Sequence, residues 1–89
     1  MSDYMKVERT KEFEKDTKKI SAKTKQRIDE VVRTVINSKK FGKELHHMKD
    51  VYSVRIENKR LVYQVLENED KVILLLFKSR EEVYRYLQD

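Results

Sequence analysis

The chain has 89 residues, with 21 Lys and Arg against 16 Asp and Glu for a net charge of +5, a single glycine, and neither proline nor cysteine. This length fits one small domain over residues 1–89 and leaves no room for a separate cofactor domain. The missing cysteines exclude disulfides, thiolate metal sites and a cysteine nucleophile.

Charged residues make up 42% of the sequence, a share that in a patternless chain would mean disorder, but the apolar residues fall into periodic blocks and the chain is expected to fold. With one glycine and no proline, regular elements joined by tight turns are expected. The N-terminus, Met1 to Thr10, has no apolar h-region, and the longest apolar run, Val72 to Phe77, is far short of the ~20 residues of a membrane span. A cytoplasmic protein with no membrane contact is the expectation. The charge is uneven: residues 38–60 carry 7 basic and 3 acidic side chains, whereas residues 61–89 carry 4 and 6. A basic middle segment fits a polyanion such as RNA, or equally an acidic protein partner.

Met5 to Arg9 alternates and predicts a short first strand. Thr10 follows as an N-cap, with Glu12 and Glu14 in the first turn where the helix dipole favours anions, so a helix is expected over residues 11–19. From Ser21, a second cap, the apolar residues Ile28, Val31, Val32, Val35 and Ile36 stand at i, i+3, i+4, i+7 and i+8, the core-facing stripe of a helix. Asn37, Ser38 and Gly42 mark its end, and the two helices are expected to form an antiparallel hairpin. After Gly42 the period changes to two. Val51 to Ile56, Arg60 to Leu66 and Lys71 to Phe77 read as strands joined by short polar turns, hence antiparallel. The last of them is apolar on both faces and should be central, with helices over it. Ser79 and Glu82 form a capping box for a terminal helix carrying Val83, Tyr84 and Leu87. The whole reads as an α+β domain of order β-α-α-β-β-β-α: a four-stranded, mostly antiparallel sheet, an N-terminal helical hairpin and a short C-terminal helix.

Parity assigns the faces of the central hairpin. A two-residue loop at Asn58-Lys59 pairs Glu57 with Arg60, Arg55 with Val62 and Ser53 with Gln64. That puts Ser53, Arg55, Arg60 and Gln64 on one face and leaves Tyr52, Val54, Ile56, Leu61, Tyr63 and Val65 for the other. A three-residue loop would turn Arg60 to the core at the cost of a buried charge. Tyr52 and Tyr63 are then packing residues, with Phe13, Ile28 and Leu75 as neighbours. The two arginines, with Lys78 and Arg80 near the end of the last strand, fit a phosphate site, because guanidinium forks bind phosphate bidentately and stay charged. Ordinary solvated face charges are the plainer alternative. His46 and His47 are either an acid-base element, of which only one can enter a site from a strand, or an exposed polar stretch. The pair lacks the further ligands a zinc site needs.

Three segments, Asp50-Val51-Tyr52-Ser53-Val54-Arg55-Ile56, Lys59-Arg60-Leu61-Val62-Tyr63-Gln64-Val65 and Ser79-Arg80-Glu81-Glu82-Val83-Tyr84, in that order, resemble the strand and C-terminal motifs of the RelE/ParE toxin superfamily of toxin-antitoxin systems. Two helices ahead of a basic segment and an antiparallel sheet is also the family order. The resemblance implies a toxin neutralised by a partner antitoxin. Following the RelE and YoeB branches, it implies a ribonuclease without metal or cofactor that cuts mRNA in the ribosomal A site, with ribosome and mRNA as partners. Following the ParE relatives, it implies inhibition of DNA gyrase and no RNA cleavage. A diverged member kept only for antitoxin binding is the third reading.

Carried over residue by residue, Arg60 matches the arginine that stabilises the scissile phosphate, Arg55 the basic position of the preceding strand, and Arg80 the common family arginine. Tyr84 matches the C-terminal tyrosine that stacks on a base or assists proton transfer. Lys78 stands six residues before Tyr84, where RelE has a functional arginine. Ser53 departs from the family, standing where RelE has the first of two catalytic lysines. Glu44 corresponds to the upstream glutamate of YoeB-type relatives, whose C-terminal histidine this sequence lacks. The implied reaction is attack of a 2′-hydroxyl on its own 3′-phosphate, giving a 2′,3′-cyclic phosphate and a 5′-hydroxyl, with Glu44, His46 and His47 as candidates for the base. Lys43, His46, His47 and Lys49 of the basic segment are expected to bind RNA. The lysines of the two helices, among them Lys11, Lys18 and Lys25, are a solvated surface or a contact with ribosomal RNA.

Overall fold

The computed structural model describes residues 5–38, 41–45 and 48–87. In chain order these form β1 (Lys6–Arg9), α1 (Lys11–Asp16), α2 (Ala22–Ser38), β2 (Lys43–Glu44), β3 (Val51–Ile56), β4 (Lys59–Leu66), a 3-10 turn (Glu67–Glu69), β5 (Lys71–Lys78) and α3 (Arg80–Leu87). The strands make one five-stranded sheet in the order β1-β5-β4-β3-β2, with β1 parallel to β5 and the other pairs antiparallel. The α+β class agrees with expectation. The sheet has one strand more than the expected four because β2 adds to the edge of β3, Lys43 opposite Ser53 and Glu44 opposite Tyr52. A strand of two residues is too short to show an alternation in sequence.

Thr10 caps α1, its Oγ1 accepting from the Phe13 amide at 3.0 Å while donating to the Leu75 carbonyl at 2.7 Å. Its own amide donates to the Leu74 carbonyl at 3.1 Å. Since β1 pairs with β5 only as far as Leu74, these bonds and one from the Phe77 amide to Asp16 Oδ2 (3.1 Å) cover the rest of that strand edge. The helix stops at Asp16 rather than Lys19. Thr17 donates its hydroxyl back to the Phe13 carbonyl at 2.9 Å, and residues 17–19 hold no apolar side chain to bring a further turn onto the core.

Ser21 caps α2, its Oγ accepting from the Thr24 amide at 3.2 Å. The stripe read from the sequence faces the sheet, with Ile28 and Val35 buried and Val31, Val32 and Ile36 partly so. Both helices lie over one sheet face, where Phe13, Ile28 and Val35 join Tyr52, Leu61, Tyr63, Val72 and Leu74 in the larger core. On the other face Val83 of α3 meets Val51, Val62 and Leu76. The apolar run of β5 is thereby covered on both sides.

The β3–β4 hairpin pairs Ile56 with Lys59, Arg55 with Arg60, Val54 with Leu61 and Ser53 with Val62, so its loop is Glu57-Asn58 rather than Asn58-Lys59. Either loop has two residues, so parity is the same and the faces stand as expected. Glu57 takes a left-handed conformation (φ 60°) that Asn or Gly usually fills in such loops. Its carboxylate accepts from the Thr24 hydroxyl at 3.0 Å, beside the start of α2, which offsets the backbone cost and selects this register. Leu75 is not the neighbour of Tyr63 that parity suggests. β5 places Leu76 opposite Val62 but Leu74 opposite Tyr63, so Leu75 is an extra residue that packs with the α3 cluster instead.

Candidate active site

Strand register gathers charge on the face under α3. Lys43 stands opposite Ser53, Ser53 opposite Val62, and Arg55 opposite Arg60, so Lys43, Ser53, Arg55 and Arg60 share this face. Directly opposed arginines repel each other, a cost that a bridging anion removes.

α3 closes over the face from Ser79. The Ser79 Oγ accepts from the Glu82 amide at 3.3 Å, and Glu82 Oε1 accepts from the Ser79 amide at 3.2 Å, completing the capping box. The amide and then the hydroxyl of Ser79 hold the Glu82 carboxyl below its ordinary pKa. Val83, buried on Val51, Val62 and Leu76, sets the rotation of the helix. Arg80, Tyr84 and Leu87, at i, i+4 and i+7, then run along the flank that borders a groove.

That groove has a volume of about 280 Å³. Its polar lining is Lys43, Glu44, Ser53, Arg60, Arg80 and Tyr84, and its apolar lining is Leu45, Met48, Val83 and Leu87. Of the residues singled out by sequence, Arg60, Arg80, Tyr84, Glu44 and Lys43 thus come together. Tyr84 is 61% exposed, so its ring is available to a ligand rather than packed in the core. Glu44 borders the groove, yet its register partner is Tyr52 on the opposite face, where its charge adds to the burial that raises the Tyr52 phenol pKa. Arg55 is exposed and outside the groove, its Nε donating to the Glu57 carbonyl at 3.1 Å. Lys49 is exposed in the turn before β3, also outside the groove. Lys11, Lys18 and Lys25 are on the helical side of the fold, all three exposed. His46 and His47 lie outside the described residues.

Lys78 is the cross-strand partner of Arg60 but turns to α1. Its Nζ donates to Glu12 Oε2 at 2.6 Å and Asp16 Oδ1 at 2.8 Å, 5.3 Å from the centre of the Tyr86 ring. Desolvation works against the ammonium, but the bonds to Asp16 and Glu12 outweigh it and raise its pKa above 10.5. The hydrogen bond from Lys78 in turn holds the Glu12 carboxyl below 4.5. Lys78→Met, which keeps the stem and drops the charge, is expected to lower Tm by roughly 5–10 °C near neutrality by leaving two carboxylates unpaired. The Glu12 share of this stability is present above its unfolded pKa and lost as pH falls through the depressed folded value. The Lys78 share is present below its unfolded pKa and lost as pH rises through the raised folded value. Thermal melts should therefore show a constant gap between wild type and variant over about pH 6–9 that narrows below about pH 4; a gap that widens in acid contradicts the assignment.

Two features escape sequence reasoning. Gly42 has φ 91°, and a Cβ there would lie 2.5 Å from Val54 Cγ2 and 2.9 Å from both the Ser53 carbonyl oxygen and Tyr63 Oη. Only glycine lets this backbone lie so close upon β3. Ser53 is 5% exposed, and its Oγ has no hydrogen-bond partner among the described residues. Parity does place Ser53 on the arginine face; what closes over it depends on β2 and α3. Among the described residues no group of three or more His, Asp or Glu is placed to hold a metal ion, and no helix is long and apolar enough to cross a membrane.

The family model described as ParE toxin of type II toxin-antitoxin system, parDE, matches residues 7–84. Solved structures of similar fold include the intact E. coli RelBE toxin-antitoxin complex, at TM-score 0.76 and 19% identity over 84% of this chain and 95% of that one. The isolated E. coli RelE toxin matches at TM-score 0.75 and 22% identity over 92% and 93%. The RelB-RelE antitoxin-toxin complex from Methanococcus jannaschii matches at TM-score 0.69 and 23% identity over 91% and 99%. At these identities the likeness is one of fold. No curated protein matches the chain in sequence.

Proposed function

This chain belongs to the ParE toxin family of type II toxin-antitoxin systems, and on that premise we propose that it is an endoribonuclease that needs no metal, cleaves mRNA at the ribosomal A site in the cytoplasm, and is held in check by a cognate antitoxin. The observation that carries this reading is the convergence of Lys43, Glu44, Arg60, Arg80 and Tyr84, from β2, β4 and α3, on one groove. Charges that served only solvation would have no reason to line a common concavity. The E. coli and Methanococcus jannaschii complexes pair toxins of this fold with antitoxins, which supports the same kind of partner here.

In this reading Arg60 and Arg80 hold the non-bridging oxygens of the scissile phosphate. They neutralise the charge that grows as the 2′-oxygen closes on phosphorus, and the guanidinium charge is constant at any physiological pH. Glu44, the carboxylate of the groove lining, takes the 2′-hydroxyl proton. As the 2′-oxygen bonds to phosphorus the P–O5′ bond breaks, and the departing 5′-oxygen takes a proton from solvent, so the products are a 2′,3′-cyclic phosphate and a 5′-hydroxyl. Tyr84 stacks on a neighbouring base and so holds the attacking oxygen in line. Arg55 and Lys49, exposed beyond the groove, contact flanking phosphates, and Lys78 serves α1 instead. Tyr84→Ala is expected to slow cleavage about tenfold with Tm unchanged, and Tyr84→Phe to restore it if the ring acts by stacking; a Phe variant as slow as Ala would assign the role to the hydroxyl.

The family description favours a second reading, a toxin without nuclease activity that binds DNA gyrase. Brief induction in cells separates the two, with primer extension on mRNA run beside an SOS reporter. Translation-dependent cleavage sites appearing before any SOS signal are expected. DNA breaks and SOS induction with translation at first intact would establish the gyrase reading instead.

A further inference from the structure

We propose that Ser53 is a phosphate-binding residue of the groove, its hydroxyl donating a hydrogen bond to a non-bridging oxygen of the phosphodiester held by Arg60. The inference rests on the nuclease reading and adds a contact within that site. Ser53 is 5% exposed, its Oγ is without a partner among the described residues, and the residue lines the groove beside Arg60 and Lys43. Buried hydroxyls are almost always bonded, because burial takes away their water. Lys43, Arg60 and Arg80 of the lining are donors only, so none of them can accept the Ser53 proton. Glu44 and Tyr84 of the lining could accept it, but neither bonds to Ser53 Oγ, which stands without a partner among the described residues. A ligand in the groove supplies the acceptor that the lining does not bring to Ser53 Oγ. A phosphodiester, whose non-bridging oxygens only accept and carry the charge that three cations would bind, is the ligand class that meets both demands.

The second orphan hydroxyl, Tyr63 Oη, differs in place: Tyr63 is fully buried on the helix face and does not line the groove. Its burial therefore says nothing of a ligand, whereas that of Ser53 does.

The contact has a signature that a packing role would lack. Removing an unpaired buried hydroxyl should leave the fold as stable or more so while weakening the reaction. Purified wild type, Ser53→Ala and Arg60→Ala would be compared on ribosome-bound mRNA with a normal linkage, or with a single Rp or Sp phosphorothioate at the cleaved position, with Tm measured alongside. Ser53→Ala is expected to lose about tenfold in cleavage rate at unchanged or higher Tm. The wild-type penalty for sulfur at one diastereomer should shrink in this variant, because the donor that sensed that oxygen is gone. Unchanged cleavage by Ser53→Ala while Arg60→Ala is impaired would overturn the contact and leave the nuclease reading standing. A lower Tm, or slower cleavage with both sulfur penalties intact, would assign Ser53 to packing and also overturn it. If the wild type does not cleave, the nuclease reading fails and takes this inference with it.

Discussion

Arg60→Ala is expected to reduce mRNA cleavage by about 100- to 1,000-fold, the size of loss seen when a single preorganised donor to a transition-state anion is removed. The fold should not notice. Arg60 is half-buried at the groove, and among the described residues no carboxylate lies within ion-pairing distance of it. Its charged partners by register are Arg55 and Lys78, both cations, and of these Lys78 is turned away to α1 while Arg55 repels it. Removing one arginine relieves that repulsion, so Tm should be unchanged or slightly higher. Arg60→Lys tests whether the fork or the charge matters: a point charge in place of a bidentate donor should recover only part of the loss, leaving about a tenfold deficit. The measurement is single-turnover cleavage on programmed ribosomes with purified variants, paired with thermal melts. Full cleavage by Arg60→Ala would remove the phosphate from this groove and leave it as a protein-binding surface.

Gly42→Ala is expected to destabilise the protein by about 3 kcal/mol, combining overpacking with a left-handed backbone that L side chains resist. The new methyl would overlap Val54 Cγ2 and press on the Ser53 carbonyl oxygen and Tyr63 Oη. The first of these can yield, whereas backbone and a fully buried tyrosine cannot do so cheaply. For a chain of this size the change corresponds to a Tm lower by roughly 12–24 °C. Urea unfolding of Gly42→Ala and of Gly42→Ala with Val54→Ala should show partial rescue in the double variant, because the shortest contact is then relieved while the strained φ stays. A loss below about 1 kcal/mol in the single variant would mean that β2 can lie elsewhere. Since β2 carries Lys43 and Glu44 to the groove, cleavage should fall with stability here, unlike for Arg60.

Helices and strands are legible in the sequence because their causes are local. Thr10, Ser21 and Ser79 each cap the helix they precede, and the stripe from Ile28 to Ile36 faces the core. Local pattern falls short where two solutions are equally good and a distant residue decides between them. The loop Glu57-Asn58 wins over Asn58-Lys59 through a hydroxyl 33 residues away, that of Thr24. Leu75 leaves the expected face because β5 holds an extra residue at that point, with its carbonyl bonded to Thr10 from 65 residues away. β2 has no pattern of its own and exists through pairing with β3 and the bare backbone of Gly42.

Alone, the sequence determined which residues share a sheet face, since a strand's period of two needs only a loop of even length, and so parity by itself puts Ser53, Arg55 and Arg60 together. It also pointed to the family, through three motifs that stand in the family's order. Tertiary structure decided which of those residues meet. Lys78 stands beside Arg60 in register but is drawn away by the carboxylates of Glu12 and Asp16, 66 and 62 residues earlier. Arg80 and Tyr84 join Arg60 only because Val83 seats α3 on Val51, Val62 and Leu76, fixing a rotation that helical periodicity by itself leaves free. Face is a property of the backbone repeat, whereas convergence on a groove depends on charge pairing and packing between segments far apart in the chain.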